Sequence, residues 1–530
     1  MRSDELNWDL PFPSQRDPVF ARNVVATSQP LATQAGIDAL REGGNAIDAA
    51  LAAAICLTVV EPCSNGLGSD AFALVWFENS LYGLNASGKS PRLWSEDYFS
   101  HCRNMPELGW PSTTVPGAVS AWVELSERFG KLPFRRLFDA AVHYSETGFH
   151  VGRRTAYHWK RAESRYRDFS PFGEHFLPQG SAPRAGNLFK SINLARTLLE
   201  IATTGGESFY RGKLADLIVA QAKEEGGLMR HEDLSTHNVE WCHPLSLHYG
   251  DIVVHEIPPN GQGLAALVAL GLIDRLGVRD LEPGSTEWTH LQVESMKVAI
   301  QAAFEHFSDP NTMHIDPECL IDERKLDQAA ASISTVAANL PPQELNAGSD
   351  TVYLCAGDAD GNMISFIQSN YMGFGSGIVI DGTGIAMQNR GAGFTLKPGH
   401  PNQVGPGKRP FHTIIPGFVS RNGCPELAFG VMGGHMQHQG HVQMVSRVFD
   451  HCQNPQSAAD APRWYVTPQF EVVLEEGFCQ KTKRELAGLG HVVLESKSVD
   501  LFGGAQLVAC LEDGYCGASD HRKEGLAGGF

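Results

Sequence analysis

Two short apolar runs separated by a polar turn stand out about two-thirds of the way along the chain. Residues 352–356 and 363–368 are mostly apolar, and Asp360-Gly361 lies between them. An Asp-Gly pair between two such runs is a strong local signal for a β-hairpin. The pattern therefore predicts a hairpin within residues 349–377, with Asp360 and Gly361 as the two central residues of its turn.

Thr351 lies at the tip of the first predicted strand. With Asp360-Gly361 at the centre of the turn, Thr351 faces Asn370, or Ser369 if the register shifts by one residue. A hydroxyl residue at a strand tip, across from polar residues, is a candidate for chemistry. An ordinary β-branched strand residue is the alternative. The residues alone leave both the register and the role open.

Elsewhere, the spacing of apolar residues predicts helices alternating with strands. A helix over residues 31–42 ends at Gly43-Gly44, and Asn45 then caps a second helix that is apolar nearly all round and hence buried. Strands alternating with long helices in both halves of the chain indicate a layered α/β domain with sheets between helices. The other main predictions are strands at 71–77, 251–256, 411–419 and 425–432 and helices at 264–276, 286–307 and 435–450.

Residues 329–349 lose this pattern and end where the hairpin begins. Such a stretch is typical of a mobile, exposed connector. A chain that must be cut beside Thr351, and whose cut end must move aside, needs a connector of this kind.

Composition narrows the class of protein. The 530 residues, 42% apolar, suffice for a large core and two to four domains by length alone. A net charge of −18 disfavours nucleic acid and anionic membranes as partners. The first 18 residues lack the apolar stretch of a signal peptide, and eleven scattered cysteines without a CxxC pair indicate small buried thiols in a reducing compartment. We therefore expect a cytoplasmic protein.

Several catalytic arrangements compete at this point. His435, His438 and His441 recur at three-residue spacing, so a metal site is conceivable. The spacing is not HExxH, and Gly433-Gly434 explains the start of the helix, which favours surface and cap residues. No GxSxG motif is present, and no cysteine lies in an electropositive glycine-rich context. The Gly66, Gly68 and Asp70 cluster lacks the pattern of a phosphate loop and indicates a tight turn that begins a strand.

The remaining hypothesis is nucleophilic catalysis by Thr351 after cleavage of the Asp350–Thr351 bond. An α-amino group has a pKa of about 7.7–8.0, so much of it is neutral at cellular pH and can accept the hydroxyl proton. Backbone N–H groups at Gly433-Gly434, where a helix begins, are suited to hold an oxyanion. This chemistry needs neither a cofactor nor a metal.

Six stretches, taken in order, resemble the γ-glutamyltranspeptidase (glutathione hydrolase) family: GGNAIDAALAAAICLTVVEPCSNGLGSDAF, TVPGAV, the Thr351 hairpin, FGSGIV, PGKRP and MGGHMQ. The resemblance implies an N-terminal-nucleophile αββα four-layer sandwich made by a self-cleaving proenzyme. It implies a large subunit, 1–350, and a small subunit, 351–530, that stay associated in one core. Carried over, Thr351 is the nucleophile, Ser369 supports it, and Gly433 and Gly434 form the oxyanion hole.

The departures from the family pattern concern the substrate pocket. The family's NQMDDF-like stretch is NRGAGF here (389–394), so Arg390 replaces an amide and Gly393 replaces the carboxylate expected to pair with a substrate α-ammonium. The family's arginine for the α-carboxylate has no counterpart, and Lys89 is the nearest cation. The sequence most resembles the cytoplasmic, YwrD-type glutathione hydrolase-like branch. The candidate substrate-binding residues are Lys89, Asn370, Tyr371, Arg390, His412 and Thr413.

The leading hypothesis is an amide hydrolase or acyltransferase that acts on γ-glutamyl-like amides through a Thr351 acyl-enzyme, with water or an amine as acceptor. In a second hypothesis, Arg390, Lys89 and His412 bind an acyl-end carboxylate, as in glutaryl-type acylases of the same family. Metal-dependent hydrolysis at the His435 cluster is a third hypothesis, and an uncut binding protein is a fourth. Association with a second copy of the chain stays open.

Overall fold

The computed structural model describes residues 15–341 and 350–530. Its strands are Val19–Ala21 (β1), Val24–Thr27 (β2), Asp70–Phe77 (β3), Ser80–Asn85 (β4), Phe149–His150 (β5), Leu188–Phe189 (β6), Glu240–Cys242 (β7), Leu245–Tyr249 (β8), Ile252–Glu256 (β9), Asp350–Gly357 (β10), Met363–Tyr371 (β11), Val379–Ile380 (β12), Ile385–Ala386 (β13), Gly417–Arg421 (β14), Cys424–Met432 (β15), Trp464–Val466 (β16), Val472–Glu475 (β17), Val493–Ser496 (β18), Gly504–Leu511 (β19), Gly514–Ser519 (β20) and Leu526–Gly529 (β21).

The helices are Pro30–Arg41 (α1), Ala46–Val60 (α2), Glu96–Phe99 (α3), Ala118–Phe129 (α4), Asp139–Thr147 (α5), Arg153–Arg165 (α6), Ser170–Phe176 (α7), Ile192–Thr204 (α8), Glu207–Arg211 (α9), Lys213–Glu224 (α10), His231–Ser235 (α11), Gly263–Arg275 (α12), Thr286–His306 (α13), Glu323–Ser332 (α14), Gln437–Val445 (α15), Pro455–Asp460 (α16) and Gln480–Gly488 (α17). Within the described residues, none of them is long and apolar enough to cross a bilayer.

Two large sheets, each of seven strands in the described part of the chain, pack face to face. One has the order β21-β2-β10-β11-β3-β4-β7 and the other β1-β20-β19-β15-β14-β9-β8. Trp76 of the first sheet stacks on Phe418 of the second, with ring centroids 6.1 Å apart. Helices α1, α2, α4, α5, α8 and α10 cover the outer face of the first sheet, and α12, α13 and α15 cover that of the second. The expected αββα four-layer sandwich is confirmed.

Strand β10 shows why a fully buried strand reads as a continuous apolar run. Val352 and Leu354 pack against the first helix layer, whereas Tyr353 and Cys355 pack between the two sheets. Because side chains alternate between the faces of a strand and both faces are buried here, apolar residues occupy consecutive positions.

Helix α2 forms as its sequence predicts. The side chain of Asn45 accepts hydrogen bonds from Ile47 N and Asp48 N, while the Asp48 side chain accepts one from Asn45 N, which completes a capping box. Every residue of the helix is buried. The strand predicted at 411–419 is only partly correct, because regular strand begins at Gly417 and His412 makes only an isolated bridge to Gly261.

Only part of the predicted connector at 329–349 lies within the described residues. Its first residues complete helix α14, which ends at Ser332, and residues 342–349 lie outside the described part of the chain. The eleven cysteines are all unpaired, as expected. The prediction that they are buried is wrong for Cys319, Cys424, Cys452 and Cys479, which are exposed.

The central hairpin forms between β10 and β11, but its turn is one residue longer than predicted. Val352 pairs with Gln368 and Gly357 with Met363, which moves the register by one residue from that of a two-residue Asp360-Gly361 loop. Gly361 has a φ of +86°, a conformation that favours glycine at the end of a three-residue loop.

A buried cluster of charged side chains connects Asp520, which directly follows β20, to Arg463 and Arg522. Asp520 is fully buried, and its carboxylate lies 2.5 Å from Arg463 Nη2 and 3.1 Å from Arg522 Nη1. Although burial alone raises the pKa of Asp520, the two guanidinium groups hold it well below its ordinary value. A carboxylate with a depressed pKa stabilises the fold above its unfolded pKa of about 3.9, and that contribution is lost as the pH falls.

Asp520→Asn is expected to destabilise the protein by about 3–5 kcal/mol at pH 7, because it leaves Arg463 without its carboxylate partner in a buried setting. The measurement is the midpoint of thermal unfolding, compared with that of Asp513→Asn, which replaces an exposed aspartate seven residues earlier. Equal midpoints for the two variants would show that the buried cluster adds nothing to stability.

Candidate active site

Strands β10 and β11 place two hydroxyl groups and one carbonyl group in contact with one another at the Asp350–Thr351 bond. Thr351 Oγ1 donates to Ser369 Oγ at 3.2 Å, and Ser369 Oγ donates to the carbonyl oxygen of Asp350 at 2.8 Å. Asp350 and Thr351 are consecutive residues of β10, and Thr351 is only 1% exposed. Of the two partners that the sequence left open for Thr351, the structure brings Ser369 into contact with it.

The two glycines predicted to hold an oxyanion lie where β15 ends and the helical segment before α15 begins. Gly433 and Gly434 have φ angles of +120° and +57°. A Cβ on Gly433 would lie 2.9 Å from Gly503 Cα, so both conformation and space favour glycine there. One turn further on, Gln437 Nε2 lies 3.5 Å from Thr351 Oγ1, which places this helix start beside the candidate nucleophile. Gln437 is the last residue of the MGGHMQ stretch, but its local sequence indicated no role for it.

Asp70 is the main site residue that the sequence analysis did not assign. It begins β3, as the predicted turn implies, and pairs directly across the sheet with Ser369. One carboxylate oxygen accepts hydrogen bonds from Gly88 N and Gly117 N at 3.1 Å, and the other lies 3.1 Å from His412 Nε2. The sequence feature that could have identified Asp70 is its position as a lone carboxylate between a glycine-rich turn and an apolar strand.

Burial sets the charge state of this Asp70–His412 pair. Burial raises the pKa of Asp70 to about 7, although Arg390 and the backbone N–H groups oppose the rise. Burial, together with the charge of Arg390, lowers the pKa of His412 well below its ordinary value. At neutral pH the pair therefore consists of a neutral imidazole and a carboxyl group that is only partly ionised.

Arg390 brings a buried positive charge to the same site. Its Nη1 donates to Thr413 Oγ1 at 2.7 Å, and its guanidinium lies 4.5 Å from the centroid of the Tyr371 ring. Its Nε and Nη2 have no hydrogen-bond partner among the residues that the structure describes. Burial lowers the pKa of Arg390 to about 10, so the side chain remains charged at pH 7. Tyr371 N donates to Ser369 Oγ at 2.8 Å, which links Arg390 to the Thr351 cluster.

Asn370 and Lys89 occupy different positions from this group. Asn370 Oδ1 accepts a hydrogen bond from Ser69 Oγ at 2.8 Å, beside Asp70. Lys89 is exposed and lines a cleft of about 410 Å³ whose walls also include Arg92, His237 and Arg409 but neither Thr351 nor Arg390. The structure thus brings together Arg390, Tyr371, His412 and Thr413, and leaves Lys89 in a separate cleft.

The histidine-rich helix differs from its predicted surface position. His435, His438 and His441 are all buried, because α15 and the segment before it pack between β15 of the second sheet and helix α12. His441 Nδ1 lies 2.6 Å from Glu256 Oε1. Among the described residues, the groups of three ligand side chains whose donor atoms lie within 4.8 Å of one another are elsewhere, at His290-Glu294-His491 and Asp460-Asp520-His521.

Comparisons with known proteins agree with this architecture. The family model described as gamma-glutamyltranspeptidase matches residues 32–530. A Bacillus subtilis protein described as a glutathione hydrolase-like YwrD proenzyme is 35% identical, with 97% of this chain and 99% of the relative covered. The oxamate amidohydrolase proenzyme of Klebsiella pneumoniae is 34% identical, with 94% and 97% covered.

Among solved structures, the cephalosporin acylase from Bacillus halodurans superposes with a TM-score of 0.94 and 42% identity, with 99% of both chains covered. The match of fold, of nearly the whole sequence and of the ordered motifs makes the chain a member of the gamma-glutamyltranspeptidase family and an enzyme.

Proposed function

We propose that the chain is a precursor that cuts itself between Asp350 and Thr351, and that Thr351 then hydrolyses or transfers the acyl group of small amides. The observation that carries this proposal is the line of contacts from Thr351 Oγ1 through Ser369 Oγ to the Asp350 carbonyl oxygen. The names of the two curated relatives describe them as proenzymes, which supports the same conclusion.

In the self-cleavage step, Thr351 Oγ attacks the carbonyl carbon of Asp350. Ser369 donates its hydroxyl hydrogen bond to the carbonyl oxygen, where negative charge develops. The C–N bond breaks as the nitrogen takes up the proton released by the Thr351 hydroxyl and becomes the amine of Thr351, and an ester now joins Asp350 to Thr351 Oγ. Water hydrolyses this ester, leaving a carboxylate on Asp350 and a free hydroxyl on Thr351. The products are a large subunit, 1–350, and a small subunit, 351–530.

In turnover, the freed α-amino group of Thr351 accepts the proton of its own hydroxyl as Oγ attacks the substrate amide. The backbone at Gly433 and Gly434 stabilises the oxyanion, and the amine of the substrate leaves with the proton. The acyl group then remains on Thr351 as an ester until water or an acceptor amine attacks it. No cofactor enters these steps.

The polar groups around Arg390 point to an acyl group that ends in a carboxylate. Two nitrogens of the guanidinium lack partners among the described residues, and a planar fork of N–H donors matches the two oxygens of a carboxylate. Both oxygens of Asp70 are already engaged, by Gly88, Gly117 and His412. A substrate α-ammonium would therefore meet a carboxyl group that already has three partners and is only partly ionised at pH 7.

Of the two acyl classes that the sequence left open, these contacts favour a glutaryl-type group over a γ-glutamyl group. One relative supports a carboxylate near the amide, since oxamate, the substrate in its name, is an amide that carries a carboxylate.

The decisive measurement for self-cleavage is a denaturing gel of purified protein. We expect two bands of about 38 and 20 kDa, the shares of the 57.6 kDa chain in residues 1–350 and 351–530. Amino-terminal sequencing of the smaller band should begin at Thr351. A single band of 57.6 kDa would overturn the proposal, whether the material is fully active or fully inert. If that uncut material is inert, the binding-protein hypothesis is favoured.

A further inference from the structure

The side chain of Asp350, the residue before the proposed cut, is contacted by two separate elements, and one of them is in turn contacted by a third. Asp350 Oδ2 accepts a hydrogen bond from Gly373 N at 2.9 Å. Its Oδ1 lies 3.8 Å from His158 Nδ1 on α6, and His158 Nε2 lies 3.5 Å from Asp500 Oδ1. The side chains of Asp350, His158 and Asp500 are between 13% and 18% exposed, so these contacts are largely shielded from water.

The loop that supplies Gly373 is itself fastened to the end of α6. Tyr166 directly follows α6, and its hydroxyl contacts the carbonyl oxygens of Met372 and Gly375 at 2.9 and 3.0 Å. Helix α6 therefore reaches Asp350 in two ways, directly through His158 and through the loop held by Tyr166. We call His158, Gly373 and Asp500 the Asp350 clamp.

The strand pairing does not by itself fix Asp350. The β10–β11 register shifts between Asp350 and Val352, so the regular ladder is interrupted at the bond to be cut. Attack on a carbonyl requires the reacting atoms to lie about 3–3.5 Å apart and aligned, and the hydrogen bond from Ser369 Oγ holds only the oxygen of the Asp350 carbonyl. The contacts of Gly373 N and His158 with the Asp350 side chain supply a second constraint on this residue.

We propose that His158 is a positioning residue for self-cleavage, which acts through the Asp350 carboxylate and has no part in amide turnover. The inference rests on the proposed self-cleavage. In the contacts given by the structure, His158 meets Asp350 and Asp500, whereas the Thr351 hydroxyl meets Ser369 and Gln437. Once the bond is cut, the carbonyl that the clamp positions no longer takes part in catalysis.

The test follows precursor conversion on denaturing gels after cell-free synthesis of the full chain. His158→Ala is expected to slow conversion about tenfold or more, and Asp350→Asn to slow it to a similar extent. In the Asp350→Asn background, adding His158→Ala should change the rate less than about twofold, because the two residues act through one contact. His158→Gln, which keeps a polar side chain at this position, should convert at an intermediate rate. His143→Ala, which replaces an exposed histidine on α5, is the matched control and should convert like the wild type.

A second readout separates positioning from a general structural defect. His158→Ala that has matured on long incubation should hydrolyse substrate, per cut chain, at the wild-type kcat/KM within about twofold. The inference is overturned if His158→Ala converts at the wild-type rate, if it slows the Asp350→Asn variant as much as it slows the wild type, if Asp350→Asn is not cut at all, or if the matured variant is impaired. Failure of the wild-type chain to convert would instead overturn the self-cleavage proposal.

Discussion

Thr351→Ala is expected to remain a single chain of 57.6 kDa and to lose amide turnover by about 10⁴-fold or more. The substitution removes the oxygen that attacks both the Asp350 carbonyl and the substrate. Because the chain then stays uncut, the α-amino group that serves as the base is never released. Two requirements for catalysis therefore fail together, which is why this is the largest effect we expect.

The measurements are the gel mobility and the rate of hydrolysis of an acyl-anilide substrate. Thr351→Ser keeps a hydroxyl and a future amine, so it should still be cut and active at a reduced rate. Thr203→Ala, which replaces an exposed threonine on α8, should behave as the wild type. Turnover that survives Thr351→Ala but disappears on chelation would refute the nucleophile and support the metal-dependent hypothesis.

Arg390→Leu is expected to lower kcat/KM for glutaryl-anilide by about 30- to 1000-fold, equivalent to about 2–4 kcal/mol. The substitution removes the guanidinium nitrogens that lack partners within the described structure. Self-cleavage should persist, because Thr351, Ser369 and Asp350 are unchanged. The matched substrate is the methyl ester of glutaryl-anilide, which has no terminal carboxylate and should lose little on the same substitution.

Lys89→Leu is the matched comparison on the protein side, because Lys89 is an exposed cation in a separate cleft. It should change the kcat/KM for glutaryl-anilide far less than Arg390→Leu does. A larger effect at Lys89 would move the carboxylate site to that cleft. Wild-type turnover of γ-glutamyl-anilide much faster than glutaryl-anilide would refute the preference for a carboxylate without an α-ammonium.

The central hairpin shows how much of the structure local sequence can predict. The Asp-Gly turn and the two apolar runs located both strands and placed Thr351 at a strand tip. The one-residue error in register arose from the turn, where Asp358 Oδ1 accepts hydrogen bonds from Asp360 N and Asn362 N at 3.0 and 3.1 Å. A side chain that folds back on its own loop lengthens the turn, and the Asp-Gly pair gives no sign of it.

Asp70 shows the opposite case. Its local sequence indicates only a turn that begins a strand, and that turn is present. Its chemical surroundings come from His412 and Arg390, more than 300 residues away in the chain. The surface position predicted for His435, His438 and His441 was wrong for the same reason. Their three-residue spacing indicates a helix, but it does not show whether that helix is exposed to water or packed inside the protein.

Sequence alone determined the layered α/β class, the buried helix after Asn45, the hairpin and the nucleophile candidate, because each depends on residues close together in the chain. Tertiary structure was needed to show which polar side chains share the buried site, which atoms of Arg390 stay without partners among the described residues, and how the Asp350 side chain is held. Pairing and pKa values of buried groups depend on contacts between distant segments and on the exclusion of water, and neither is written in local sequence.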